Sequence, residues 1–124
     1  MSVDVIVCET CRSPTPEDGE GWTGALFAAL LEGVVAASPE LDEVRVTTMR
    51  CLMSCRRPCA VHIRSPDRMG YVLGDLPPER TAVQALADYL ASYRRSSDGV
   101  VPYKDWPEGV KGRFVARVPP LPSS

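Results

Sequence analysis

The sequence is poor in residues that several common functions need. Its 124 residues include a single histidine, His62, so a hydrolytic triad has little support, and a packed or surface imidazole is favoured over a ligand. No glycine-rich phosphate loop is present. Basic and acidic groups nearly balance, with 14 Lys and Arg against 16 Asp and Glu. Net charge therefore gives no reason to expect a nucleic acid or an anionic membrane as a partner.

Long apolar runs are also missing, since none reaches the ~18 residues of a membrane span. The apolar stretch at the N-terminus is short, contains Asp4 and lacks a basic leader, so we do not expect a signal peptide. The predicted location is the cytoplasm. A chain of this length suggests one domain whose core can form without disulfides.

What the sequence does have is five cysteines in two tight clusters. The first is Cys8-x2-Cys11, and the second is Cys51-x3-Cys55-x3-Cys59. Thiolates two or three residues apart can bind one metal centre, because the intervening turn brings both sulfurs to the same side. In the reducing cytoplasm, such clusters are more often metal-binding or catalytic than disulfide-bonded. An odd number of cysteines also fits full disulfide pairing poorly.

Arginines lie next to both clusters in a chain that is acidic overall. They are Arg12, Arg50, Arg56 and Arg57. Cations lower thiolate pKa values and offset the negative charge of a thiolate-bound centre. Arg56 and Arg57 are candidates to steer an acidic redox partner. The alternative is that these arginines are solvated loop residues or bind another anion.

Hydrophobic periodicity predicts an α/β fold with four strands and two helices. The predicted strands are Val3 to Val7 (ending at Cys8), Glu43 to Met49, Ala60 to Arg64 and Gly70 to Gly74. The predicted helices are Gly21 to Ala37, with the apolar stripe Trp22, Leu26, Leu30, Val34 and Ala37, and Glu79 to Arg95, with the stripe Val83, Leu86, Ala87 and Leu90. The order is β-α-β followed by β-β-α. We expect a right-handed parallel crossover first, then a hairpin that extends the same mixed sheet.

The last part of the chain differs in composition, since residues 96–124 hold five of the 12 prolines. We expect residues 1–95 to form the domain and residues 96–124 to be a Pro-rich irregular extension. Val110 to Val118 could add a strand or wrap the domain, and a partly ordered tail is the alternative. Trp106 is either a docking anchor or, by default, packs on its own domain.

If the first two strands are parallel, both cysteine clusters lie at the same end of the sheet, where ligands collect in α/β folds. A pair of thiolates from each cluster meets the requirement of a [2Fe–2S] cluster. A four-cysteine zinc site, structural or metal-handling, is one alternative. A Cys-x2-Cys thiol–disulfide oxidoreductase, with Pro58 facing the dithiol, is another. Because no substrate-pocket chemistry is evident, we do not expect an enzyme.

The run Cys51-Leu-Met-Ser-Cys55-Arg-Arg-Pro58, between two strands and before a hairpin and a helix, resembles the thioredoxin-like [2Fe–2S] ferredoxins. With the opening Val-Cys-Glu-Thr-Cys-Arg, the longer run ending at Cys59 is more similar to a bacterial family of uncharacterised predicted metal-binding proteins. Some of those proteins are encoded near cobalamin-synthesis genes. The resemblance covers about residues 3–95.

This resemblance implies a thioredoxin-like fold, a [2Fe–2S] cluster and single-electron transfer, or redox or metal sensing, with partner proteins. A homodimer is implied in the same way. The implied ligands are Cys8, Cys11, Cys51 and Cys55. The ferredoxins usually space their first pair more widely than Cys8 and Cys11. Cys59 is an extra thiol, either a substitute ligand or a small buried residue that opens the third strand.

Overall fold

A computed structural model of the chain describes residues 2–8, 24–50, 60–76 and 79–120. Within these ranges the strands are β1 Val3–Cys8, β2 Val44–Met49, β3 Val61–Arg64, β4 Gly70–Leu73 and β5 Phe114–Val118. The α-helices are α1 Gly24–Ala37 and α2 Arg80–Arg95, and short 3₁₀ turns span Pro39–Leu41, Tyr103–Asp105 and Glu108–Val110. The α/β class and the two predicted helices are confirmed.

The strands form one mixed sheet in the order β2-β1-β3-β4-β5. β1 and β2 are parallel, with Val3 opposite Val44 and Cys8 opposite Met49, which confirms the predicted parallel pairing. The remaining neighbours are antiparallel. The β3–β4 hairpin is also as predicted. Its turn places Asp67 at φ 62°, a left-handed conformation that a short polar side chain tolerates.

The predicted number of strands was wrong: the sheet has five strands, because the C-terminal segment supplies β5. β5 pairs with β4 from Gly70–Val118 to Leu73–Phe114. If β4 were the edge strand, it would expose a row of unpaired backbone donors and acceptors. Pairing with β5 satisfies these groups. Trp106 packs on its own domain, 4.4 Å from Phe114 between ring centroids, and its indole nitrogen donates to the Val101 carbonyl.

Helix α2 buries the face that its sequence predicts. Val83, Leu86, Ala87 and Leu90 are all buried. Arg94 and Arg95 occupy its last turn, where cations interact favourably with the helix dipole.

Helix α1 does not bury the predicted stripe. Leu26 is 47% exposed and Leu30 is 37% exposed, whereas Phe27, Ala28 and Leu31 are buried. The helix reads GALFAALLEGVVAA and holds one charged residue, Glu32, so its apolar pattern does not single out one face. Trp22, the first residue of the predicted stripe, lies outside the described residues.

Both helices cover the same side of the sheet. The alternate residues Val5, Ile63 and Tyr71 point to that side and are buried in one core with residues of α1 and α2. No helix in the described part of the chain is long and apolar enough to cross a membrane.

The other side of the sheet carries neither α-helix, and we call it the open face. Read across the sheet in register, one row of the open face is Thr47, Ile6, His62, Val72 and Ala116. The next row is Arg45, Asp4, Arg64, Gly70 and Val118. In this row, Asp4 forms ion pairs with Arg45 and Arg64.

Candidate functional site

Most of the predicted site lies outside the described residues. This applies to Cys11, Cys51, Cys55 and Cys59, and also to Arg12, Arg56, Arg57 and Pro58. Cys8 is the cysteine that the structure describes, and the residues that flank the second motif, Arg50 and Ala60, are described as well. The geometry of the site is therefore read from Cys8 and these two flanking residues.

Cys8 is the last residue of β1 and is 1% exposed. Because side chains alternate along a strand, it lies on the open-face side, in line with Asp4 and Ile6. Its backbone amide donates to the Ala60 carbonyl at 3.0 Å. Its Sγ lies 4.0 Å from the Arg50 carbonyl oxygen. Cys8 and Ala60 form a small buried cluster that is separate from the main core.

Topology explains these contacts. The parallel strands β1 and β2 both end at this edge of the sheet, and the antiparallel β3 begins there. Arg50 directly precedes Cys51 in the sequence, and Ala60 directly follows Cys59. The predicted edge thus brings Cys8 together with the residues on both sides of the second motif.

The described residues by themselves do not form a metal site, since they contain no group of three or more His, Cys, Asp or Glu side chains that could hold an ion. His62 is a half-buried residue of β3. Burial lowers the pKa of its imidazole, and the nearby Arg64 lowers it further, so His62 is neutral at pH 7.

The sequence matches a family model described as "Protein of unknown function (DUF1636)" over residues 5–120. The chain belongs to this family. No curated protein matches the sequence of this DUF1636 protein.

A thioredoxin-like [2Fe–2S] ferredoxin from Aquifex aeolicus has a similar structure, with a TM-score of 0.59 and 13% identity. The match covers 96% of this chain and 94% of the ferredoxin. At this identity the likeness concerns the fold, and it confirms the thioredoxin-like architecture that the resemblance implies. The link to cobalamin-synthesis genes stays a prediction.

Sequence reasoning missed a cavity of about 570 Å³ on the open face. It lies between the β3–β4 turn and the end of β5, and His62, Arg64, Gly70 and Val118 are among its lining residues. No local motif marks it, because it exists only once β5 has paired with β4.

Proposed function

We propose that this DUF1636 protein is a small cytoplasmic iron–sulfur protein that binds a [2Fe–2S] cluster. It transfers single electrons to and from protein partners, or senses redox state or metal. The ligands we propose are Cys8, Cys11, Cys51 and Cys55, with Cys59 as the substitute ligand.

One observation supports this proposal most directly. Cys8 contacts Arg50 through its Sγ and Ala60 through its amide. In the sequence, 39 residues separate Cys11 of the first motif from Cys51 of the second. Parallel pairing of β1 and β2 nevertheless brings Cys8 and Arg50, the residue before Cys51, to one edge of the sheet, which is what a shared centre would require.

The donor chemistry fits the same centre. A [2Fe–2S] cluster takes four thiolates, two for each iron, and the chain has five cysteines to supply them. When bound, such a cluster would accept and release one electron at a time. Burial of Cys8 fits this role, because solvent exclusion and backbone hydrogen bonding around cysteine sulfurs tune the potential of a cluster.

The burial of Cys8 also bears on the oxidoreductase alternative. Thiol–disulfide exchange needs an accessible thiolate to attack the substrate disulfide. In a Cys-x2-Cys pair at this position, Cys8 would be the first thiol, and it is 1% exposed. This observation favours a ligand over a nucleophile.

Two further parts of the proposal concern partners. Arg56 and Arg57 would attract an acidic redox partner, since charge complementarity speeds the encounter of two proteins. A homodimer is proposed on the resemblance to the ferredoxins alone.

The deciding experiment is anaerobic purification followed by an ultraviolet–visible spectrum and analysis of iron, acid-labile sulfide and zinc. We expect a brown protein with two irons and two sulfides per chain. A colourless protein with stoichiometric zinc would support the zinc alternative. Metal-free protein with a reducible Cys8–Cys11 disulfide would support the oxidoreductase alternative.

Single Cys→Ser variants then test the ligand set. We expect Cys8→Ser, Cys11→Ser, Cys51→Ser and Cys55→Ser each to lose bound iron. Cys59→Ser is the matched control and should keep it. Loss of iron from Cys59→Ser, together with its retention in Cys11→Ser, would show that the proposed ligand set is wrong.

A further inference from the structure

The cavity on the open face lies toward the end of β3 that is remote from Cys8. Its walls are largely apolar and are formed by Val118, Pro119 and Pro120 after β5 and by Pro66 in the β3–β4 turn. Its volume of about 570 Å³ falls in the range of small-molecule sites. Such sites combine apolar walls with a few polar groups that fix the ligand's orientation.

Gly70 leaves a gap in the floor of this cavity. It lies within β4 and does not belong to the described glycines with positive φ, so its backbone conformation does not demand glycine. A Cβ at this position would lie 3.1 Å from the Ile63 carbonyl oxygen, a tight contact that itself favours glycine, and 3.4 Å from His62 Nε2 and 3.6 Å from Val118 Cβ. The gap therefore separates the imidazole from the last residue of β5.

His62 Nε2 is a buried polar atom that has no hydrogen-bond partner in the described part of the chain. A buried polar group without a partner is costly, and such groups are rare in native proteins. Because the imidazole is neutral at pH 7, it does not add a positive charge to the cavity. A ligand group in the gap over Gly70 would supply the missing partner.

The charged side chains of the cavity differ in how strongly they already interact with other groups of the protein. Asp4 accepts two hydrogen bonds from Arg45, at 3.1 and 3.2 Å, and also lies 3.8 Å from Arg64 Nε. Its negative charge is therefore compensated by two guanidinium groups. Arg68 is buried and donates to the Tyr93 and Arg94 carbonyls.

Arg64 is the cation best able to bind a ligand. Its side chain is 57% exposed, and its contact with Asp4 is longer than a hydrogen bond. A guanidinium group binds a carboxylate through two parallel hydrogen bonds, which gives both affinity and orientation.

We propose that this cavity binds a small, flat carboxylic acid, with its carboxylate on Arg64, its ring between the proline walls and its far edge over Gly70 beside His62. The site is separate from the cysteine edge, so it does not depend on the nature of the metal centre.

The test uses the purified full-length protein in whatever metal state it is isolated. Benzoate is the probe, benzyl alcohol keeps the ring without the charge, and inorganic phosphate keeps a charge without the ring. Binding is followed by nitrogen-15 NMR of backbone amides and of the His62 imidazole. We expect benzoate to give saturable shifts at His62, Gly70 and Val118, and to bind at least about tenfold more tightly than either comparison compound.

A pair of arginine variants provides the matched control. Arg64 and Arg45 lie in the same row of the open face and both contact Asp4, but Arg64 lines the cavity and Arg45 does not. We expect Arg64→Gln to weaken benzoate binding at least about tenfold and Arg45→Gln to change it less than about twofold. Equal losses in the two variants, phosphate binding as tight as benzoate, or benzoate shifts that bypass His62 and Gly70 would each overturn the proposal.

Discussion

The two sides of the sheet use neighbouring residues of the same strands in different ways. On the helix-covered side, Val5 and Ile63 are 0% exposed and belong to the main core. One residue along each strand, Ile6 and His62 are only half-buried on the open face. One side of this sheet therefore holds the main core together, while the other side is packed less tightly at these positions.

The open face also carries charged side chains. Asp4, Arg45 and Arg64 form linked ion pairs on the open face. Arginine side chains as exposed as these contribute little to stability, typically about 0–1 kcal/mol per pair. We infer that the open face tolerates substitution far better than the covered face does.

The largest expected effect tests this contrast directly. Ile63→Ala removes buried methyl groups from the covered side and should lower the free energy of unfolding by about 2–5 kcal/mol. Ile6→Ala makes the same change on the open face of the neighbouring strand β1, and should cost less than about 1.5 kcal/mol. Urea denaturation of both variants measures the difference. Equal losses would mean that the open face is covered as tightly as the core.

A smaller effect is expected within the covered side, where two stacked tyrosines differ in their hydrogen bonding. Tyr93 donates to the Met69 carbonyl at 2.6 Å, whereas the buried Tyr89 hydroxyl has no hydrogen-bond partner among the described residues. Burial raises the pKa of Tyr93 to about 12 and raises that of Tyr89 further, so both stay neutral in ordinary buffers.

Tyr93→Phe should therefore lower the free energy of unfolding by about 1–2 kcal/mol, because it deprives a carbonyl of its donor. Tyr89→Phe should change it by less than about 0.5 kcal/mol or raise it, since it removes a buried hydroxyl that lacks a partner. Thermal and urea unfolding of the two variants check this order. A larger loss in Tyr89→Phe would imply that its hydroxyl is hydrogen-bonded.

The smallest expected effect concerns the pH dependence of stability and lies on the open face. Burial lowers the pKa of His62 below its ordinary value of 6.5, so the unfolded chain takes up a proton more readily than the folded one. His62 therefore makes the protein less stable as the pH falls through 6.5 toward the lower pKa of the folded state.

His62→Gln cannot be protonated and should remove this contribution. We expect its free energy of unfolding, measured in urea between pH 5 and 7.5, to fall less steeply with acid than that of the wild type. A steeper fall in the variant would mean that the protonated imidazole is stabilised in the folded protein.

Much of the fold could be predicted because its strands and α2 carry clear local patterns. Val3, Val5 and Val7 alternate with more polar residues and form β1, and the stripe on α2 that includes Leu86 and Leu90 is buried as expected. In these segments residue spacing, propensity and burial all favour the same structure.

The misassigned face of α1 and the undercounting of the strands, with β5 considered only as one option for residues 110–118, have different causes. Helix α1 is apolar on nearly every side, so periodicity does not select one face. Phe27 is buried, and Leu30 is not, because of how the helix packs on the sheet. β5 is short, follows Gly112 and pairs with residues 41 to 48 positions earlier, and such non-local pairing leaves little trace in the local sequence.

The two candidate sites also differ in whether the sequence predicted them. The cysteine spacing predicted a metal centre and the edge of the sheet at which it would lie, and Cys8 occupies that edge. The cavity around Arg64 and Gly70 gave no signal, because its walls come from segments that meet only in the folded chain.

By itself, the sequence determined most of the local elements and predicted a type of chemistry, because side-chain identity and short-range periodicity are properties of neighbouring residues. Tertiary structure decided which helix face is buried, that the tail adds a strand to the sheet, and that both α-helices cover the same side of it. Those outcomes depend on burial and backbone pairing between distant segments, whose free energies are gained only once the whole chain has packed.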